Sequence, residues 1–364
     1  MLSSTTNTFG VRNDSEIFYR HFERFYNEVF FKTLEERGIK IVMNLGDICD
    51  RRKYINFKTQ NFLRSFYIDK LESMGVRQVN IIGNHDVYFK NTNRINCMTE
   101  LFSDKIGNNF EVYSDPTEIE IDGRLFMLIP WVNDENREVT VALMKKTKAK
   151  IAVGHLELAG FQMHLGSPSP HGSLDAASFK KFEKVLSGHY HHKSDDGKIH
   201  YLGAPMEFTW SDYKDTRGFH ILDTETLELE YIQNPFRIFH KIFYNDMDMN
   251  AVQKGKMLND FKKVAAAYKD CYVKVMVQNK TDQVLFEQFL DVLYSAQAVD
   301  IGISEDKSIQ SEIMLADDVD LSEDTPTILK KHIDQMTLQD NDKDALKIYF
   351  DQLYKEALEL QDEA

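Results

Sequence analysis

The stretch Val79-Asn80-Ile81-Ile82-Gly83-Asn84-His85-Asp86 decides how this chain is read. Residues 79–82 are a short apolar run, the mark of a buried strand, and glycine ends it before Asn, His and Asp follow in immediate succession. Open α/β sheets carry their chemistry in the loops at the carboxyl ends of strands. A polar tetrapeptide at such a point is therefore a candidate site.

Three other segments repeat the arrangement. Residues 39–45 are largely apolar and run into Gly46-Asp47-Ile48-Cys49-Asp50; residues 151–153 run into Gly154-His155; Val185-Leu186 runs into Ser187-Gly188-His189-Tyr190-His191. Each is a hydrophobic strand, a glycine that permits a tight turn, and a side chain able to bind a cation. The residue types suit a pair of divalent metals. Asp47 has two carboxylate oxygens that can bridge ions about 4 Å apart, His155, His189 and His191 supply imidazole nitrogens, and Asn84 supplies a neutral oxygen. Mixed oxygen and nitrogen ligation favours manganese, iron or zinc over calcium. On an extended segment, His189 and His191 point to the same side, where each can face one metal.

The order GD-x-x-D, GNHD, GH, GHxH, with Asp47, Asn84, His155 and His189 separated by 37, 71 and 34 residues, resembles the calcineurin-like metallophosphoesterase superfamily. Within it the chain is most similar to the SbcD and meiotic-recombination-eleven branch, including its T-even-like phage members. That likeness rests on GDICDRR followed by the Lys58-Thr59 helix, on GNHDVYFKN, on Leu128-Ile129-Pro130-Trp131, on VGHLELAGF and on the Asp223-Thr224-Glu225-Thr226 turn, and it covers nearly the whole chain. The resemblance implies an α/β fold, a metallophosphoesterase β-sandwich flanked by helices, with a small α+β capping domain and a C-terminal helical segment. It implies a two-ion site, Mn2+ foremost, with Mg2+, Fe2+ or Zn2+ as the other ions of the family. Asp47 would bridge, Asn84, His155 and His189 would complete one site, and His191 would belong to the other. His85 would be the catalytic imidazole, held by Asp86, that stabilises or protonates the departing oxygen. Asp50 is at least as readily a structural carboxylate behind the ligands as a participant.

One departure stands out. The family's opening strand ends in Asp-x-His directly before a Phe-Gly or Leu-Gly pair; here Phe9-Gly10 keeps that register, but Thr6-Asn7-Thr8 precedes it and residues 1–5 are mostly polar. Both ligands of the first metal are absent, so the expectation is one good site and one poor site, with an atypical opening strand. A gene junction just before Phe9 is favoured over substitution. Asp14 reads as a helix cap and not as a replacement ligand.

At 364 residues and 42 % hydrophobic content the chain can bury a large core in more than one domain. Cys49, Cys97 and Cys271 form no close pair and no metal-type spacing, which points to a reducing compartment. With no signal peptide or spanning apolar stretch, no membrane is expected, and the location is cytoplasmic, in the host cell if the chain is phage-encoded. The net charge of −14 belongs mostly to the tail: from Glu305 onward 17 acidic against 6 basic residues give −11, leaving −3 for the rest. Arg51, Arg52, Lys53, Lys58 and Lys90 beside the metal loops are then free to meet DNA phosphates, against the default of plain surface solvation.

The organisation read from these shifts is a nuclease domain at 1–235, a capping and DNA-positioning domain at 236–303, an acidic linker at 304–325 and a helical partner-binding segment at 326–364. Helices at 14–37 and 57–74 carry wider apolar faces than packing on a sheet needs, and the resemblance implies a homodimer through this region, against deep burial within the monomer. The last helix, 343–360, places Leu346, Tyr349, Phe350, Leu353, Tyr354 and Leu358 on one face. By resemblance its partner is the coiled-coil base of an SbcC-like ABC-type ATPase. The function expected is metal-dependent cutting of DNA phosphodiesters in recombination, repair and end processing. The alternatives are a catalytically weakened scaffold of the same complex, or a metallophosphoesterase acting on phosphoproteins or cyclic nucleotides.

Overall fold

The computed structural model describes residues 2–5, 9–107, 109–164, 167–169 and 172–305, together with helical residues 333, 343–344, 346–347 and 349–350. Residues 1–306 form one compact unit and residues 307–364 a second.

The predicted strands lack a polar face because both their faces are covered. In Arg124–Ile129, Phe126 and Leu128 enter one apolar layer while Met127 and Ile129 enter another. Val42 and Met43, Ile81 and Ile82, and Val185 and Leu186 are divided between layers in the same way. The shared middle layer, with Met43, Val79, Ile81, Phe126, Leu128 and Val153, joins two six-stranded sheets, and helices close the outer faces. This is the expected α/β sandwich flanked by helices.

One sheet runs in the order Leu229–Gln233, Gly218–Leu222, Leu2–Thr5, Ile41–Asn44, Arg77–Ile81, Phe110–Tyr113. The other runs Ser194–Asp195, Ile199–Tyr201, Lys184–Ser187, Ile151–Gly154, Arg124–Ile129, Thr117–Ile121. Ile41–Asn44 lies parallel to Arg77–Ile81, and Ile151–Gly154 parallel to Lys184–Ser187. Parallel pairing delivers the polar loops after these strands to one edge of the sandwich.

The opening strand is present despite its polar sequence. Leu2–Thr5 is an interior strand, parallel to Ile41–Asn44 and antiparallel to Gly218–Leu222. Thr and Ser satisfy a pleated backbone when partners stand on both sides, so tertiary pairing decides where hydropathy gave no signal. Phe9 continues alongside the first metal loop, its amide donating to the Ile48 carbonyl at 2.8 Å and its carbonyl accepting from Asp50 at 2.8 Å. Asp14 is likewise not a cap: Ser15 holds the N-cap position of Glu16–Phe25, and the Asp14 carboxylate bonds Arg51 and Thr59.

The two aromatic helices are real, each with a π-helical middle, at Tyr26–Phe30 and Leu63–Ile68. The width of the first helix is accounted for within one chain, without a dimer. Phe18, Tyr19, Phe22, Phe25, Tyr26 and Phe30 are all buried within this chain. The face is wide because it meets several neighbours: Tyr26 packs on Tyr67, with ring centroids 5.3 Å apart, Phe30 on Phe219 at 4.9 Å, and Phe18 on Phe239 at 6.5 Å.

Phe239–Asn245, Tyr272–Asn279 and Asp300–Ser304 form a parallel three-stranded sheet with helices Ala251–Val264 and Gln283–Ser295 around their own core of Tyr244, Val275, Phe286 and Phe289. In the second unit Leu346, Tyr349 and Phe350 are helical and Tyr349 is exposed, while Leu353, Tyr354 and Leu358 lie outside the described residues. Among the described residues no helix is long and apolar enough to cross a membrane.

Candidate metal centre

The loops after four strands converge as their spacing implied. Asp47 takes a left-handed backbone, φ 57°, directly after Gly46 at φ 92°, and His189 sits at φ 79°. A side chain on Gly46 or Gly83 would collide with the other loop and with His155 or Asp47, which is why both turns are glycine. Strained non-glycine backbone of this kind persists only where its surroundings hold it.

His155 is fully buried, and its Nδ1 donates to the Leu45 carbonyl at 2.7 Å. That bond fixes the tautomer, leaving the Nε2 lone pair directed at other acceptors. Nε2 lies 2.8 Å from Asn84 Oδ1, 3.2 Å from Asp47 Oδ2 and 3.2 Å from His189 Nδ1, and His189 Nδ1 is 3.0 Å from Asn84 Oδ1. A carboxylate oxygen, an amide oxygen and two imidazole nitrogens thus converge on one point. Such a set needs a proton or a cation among its donors, and those donors fit a divalent transition metal.

Electrostatics agree. Burial opposes charge on Asp47, yet His155 and His85 hold its carboxyl well below the usual range. Burial also works against charge on His155, but the Asp47 carboxylate more than offsets it, so the pKa is raised and a proton competes for the position a metal takes. Burial, reinforced by the charge of His155, pushes His189 well below its ordinary value. His191 falls to about 4, first through burial. Neutral imidazoles are what ligation requires.

The two remaining predicted roles are divided differently from expectation. Asp86 does not hold the His85 imidazole; His85 Nδ1 donates instead to the backbone carbonyl of Asp50 at 2.6 Å. The fully buried Asp86 carboxylate accepts from Asp47 N and Gly83 N at 2.8 Å each and from Cys49 N at 3.2 Å. It ties the first metal loop to the second, while the His85 amide donates to Asp47 Oδ1 at 2.8 Å. Burial, with the charge of Asp47, pushes Asp86 up to about 6. Cys49 and Cys97, expected to stand apart, meet here: their sulfurs and the Asp86 carboxylate lie within 4.8 Å of one another, and both thiols are free.

His191 lies beside this cluster, against the Phe208 ring at 5.3 Å, and its backbone is held from behind. Arg217 donates to the His191 carbonyl, to Asp212 Oδ1 at 2.6 Å and to Asp215 Oδ2 at 3.0 Å, and Asp215 also binds His192 at 2.8 Å. No periodicity announces this buried ion network. Trp131 covers the ligands, its ring 5.5 Å from that of His189, and Asn93 and Asn136 fix its carbonyl at 2.9 Å each. Of the basic residues near the loops, Arg51 is taken by Asp14 and Lys58 by Glu16. Arg52 differs: its Nη1 is buried with no hydrogen-bond acceptor among the described residues, burial lowers its pKa, and the charge acting against that is Asp47. Thr6 and Thr8 lie outside the described residues.

A carboxylate, an amide and imidazoles delivered by strand-end loops to one edge of a two-sheet sandwich define a metal-dependent phosphoesterase, and the calcineurin-like phosphoesterase pattern matches residues 17–193. The chain belongs to that family. It is 34 % identical to exonuclease subunit 1 of Enterobacteria phage T4 over 330 residues, 89 % of each protein. It is 25 % identical to the SbcD component of the SbcCD nuclease of Staphylococcus saprophyticus over 53 % of this chain and 48 % of that protein, and 25 % identical to the same component in Staphylococcus epidermidis over 41 % and 46 %.

The position of Asp86 generates a test. Asp86→Asn keeps the shape but turns one acceptor into a donor facing amide donors, so the two metal loops lose their tie. Affinity for Mn2+, measured by calorimetry, should fall about 10- to 100-fold while the fold persists by circular dichroism. Unchanged affinity would mean that the loops hold themselves.

Proposed function

We propose that this chain is a metal-dependent DNA nuclease subunit that hydrolyses phosphodiester bonds and works with an SbcC-like ABC-type ATPase in recombination, repair and end processing. The convergence of Asp47, Asn84, His155 and His189 beside His85 carries this reading. Similarity to a phage exonuclease subunit over most of the chain supports it.

Asp47, Asn84, His155 and His189 would hold one ion and His191 would turn toward a second; the mixed donor set suits manganese, iron or zinc, and the family resemblance puts Mn2+ first. A bound divalent ion supplies Lewis acidity toward the phosphoryl oxygens and an activated water. The chain's own groups do the rest. His85 spends its Nδ1 proton on the Asp50 carbonyl, which leaves Nε2 to hold or give a proton at the departing oxygen. Arg52 brings a poorly solvated guanidinium toward the same centre, where a phosphate would supply the acceptor its Nη1 lacks. The basic rim orients the DNA backbone without reading sequence. Thr6 and Thr8 in place of Asp and His favour a second reading, a scaffold subunit with weakened turnover.

Three outcomes are expected. His85→Gln should leave bound manganese at the parental level by elemental analysis while nuclease rate falls roughly 10²- to 10⁴-fold; loss of metal along with activity would make His85 a ligand. The parent should bind close to one ion per chain. Because Leu2–Thr5 is already paired on both sides, Thr6→Asp with Thr8→His should raise ion stoichiometry and rate together without rebuilding the strand. Replacing Tyr349 and Leu353 by Glu should abolish co-purification with the ATPase subunit while the nuclease body stays folded, and full retention would assign the helix to self-docking.

A further inference from the structure

Metal chemistry leaves the rim of this site unexplained. Among the described residues before 236, the exposed aromatic side chains are Tyr54, Phe57, Tyr88 and Phe89, at 66 %, 86 %, 39 % and 48 % exposure. All four lie in the segments that leave the first and second metal loops. The same body buries Tyr26 and Tyr67 almost completely, so these rings are not outside for want of core space.

The two segments touch. The Lys53 ammonium stands 5.8 Å from the centre of the Tyr88 ring, Tyr88 meets Phe89 edge-on at 4.7 Å, and the Arg51 guanidinium lies 4.9 Å from the Tyr54 ring. Tyr88 is steadied from below by its amide, which donates to the Ile95 carbonyl at 3.0 Å. The platform is continuous with the reaction centre, since His85 bonds the Asp50 carbonyl directly before Arg51. Residues 51–58 and 87–95 together hold six Lys and Arg and no Asp or Glu; Arg51, Lys58 and Arg94 pair with Asp14, Glu16 and Glu135, which leaves Arg52, Lys53 and Lys90 without a carboxylate partner among the described residues.

Exposed ring faces interleaved with cations match one ligand chemistry in particular. An unpaired nucleotide offers a flat base for the ring and a phosphate for the cation, whatever its sequence. Duplex DNA offers phosphates but hides its base faces, so a purely duplex-binding rim would need the lysines without the rings. We propose that Tyr54, Tyr88 and Phe89 form a stacking platform for single-stranded DNA, which takes the unpaired nucleotides of an end or gap and leads their backbone to the metal centre. The proposal rests on the nuclease reading and adds the form of substrate that the rim selects.

Fluorescence anisotropy with a short fluorescein-labelled oligothymidylate, without added metal so that nothing is cut, tests it on the full chain. Tyr88→Ala with Phe89→Ala should weaken binding about five- to hundredfold. Tyr88→Phe, which keeps the ring, should stay near the parent, and binding of a blunt-ended duplex of two annealed strands should change by less than about twofold. Thermal midpoints matching the parent show that these exposed positions leave the fold alone. Equal losses on oligothymidylate and blunt duplex would reduce the rim to backbone contacts, and unchanged oligothymidylate binding would assign it to something other than nucleic acid; either overturns the proposal. A parent that binds oligothymidylate here and cleaves it in a parallel assay with Mn2+ added, while the variant matches it in both, sinks the platform alone. A parent that neither binds nor cleaves DNA sinks the nuclease reading with it.

Discussion

A single buried carboxylate holds this site in register. The sheets bring four strand ends to one edge, but they do not fix how the loop from Gly46 sits against the loop from Gly83. Asp86 does, by accepting amides from Asp47, Gly83 and Cys49 at once. Burying an ionised group is costly unless donors replace its water, and three backbone amides, with the Cys97 thiol as a fourth contact at 3.5 Å, supply that replacement. The arrangement of Asp47, Asn84 and His85 follows from it, and His155, held by the Leu45 carbonyl, and His189 meet that arrangement from the other sheet.

The part of the site legible in sequence was the part carried by local pattern. Apolar runs ending in glycine located the loops containing Asp47, Asn84, His155 and His189, because strands buried on both faces leave no polar alternation to confuse them. What the pattern missed depends on distant partners. Leu2–Thr5 looks too polar for an interior strand, yet it pairs with strands that begin at Ile41 and Gly218. The Phe18 to Phe30 face looks too broad for a monomer, yet it meets Phe219, Phe239 and Tyr67.

Roles were harder to read than positions. Asp86 follows His85 directly and so invites pairing with it, but neighbouring residues in a tight loop point in different directions, and the imidazole finds the Asp50 carbonyl instead. The Arg217, Asp212 and Asp215 network that braces His191 and His192 comes from a later segment and has no spacing signature. Cys49 and Cys97 are 48 positions apart in sequence and meet only because Asp86 draws both their segments inward.

The left-handed backbone at Asp47 and His189 has an entropic consequence. Ordering a flexible loop around an ion is charged against the affinity for that ion. Here the conformational restriction is imposed when the sandwich folds, because Asp86, Leu45 and Arg217 hold the turns through backbone bonds that no ligand forms. Ion uptake then displaces what solvates the donors, with almost no backbone freedom left to surrender. The site is pre-organised: its rigidity is drawn from the stability of the whole body, so a core mutation far from the loops would be felt as weakened metal retention before it is felt as unfolding.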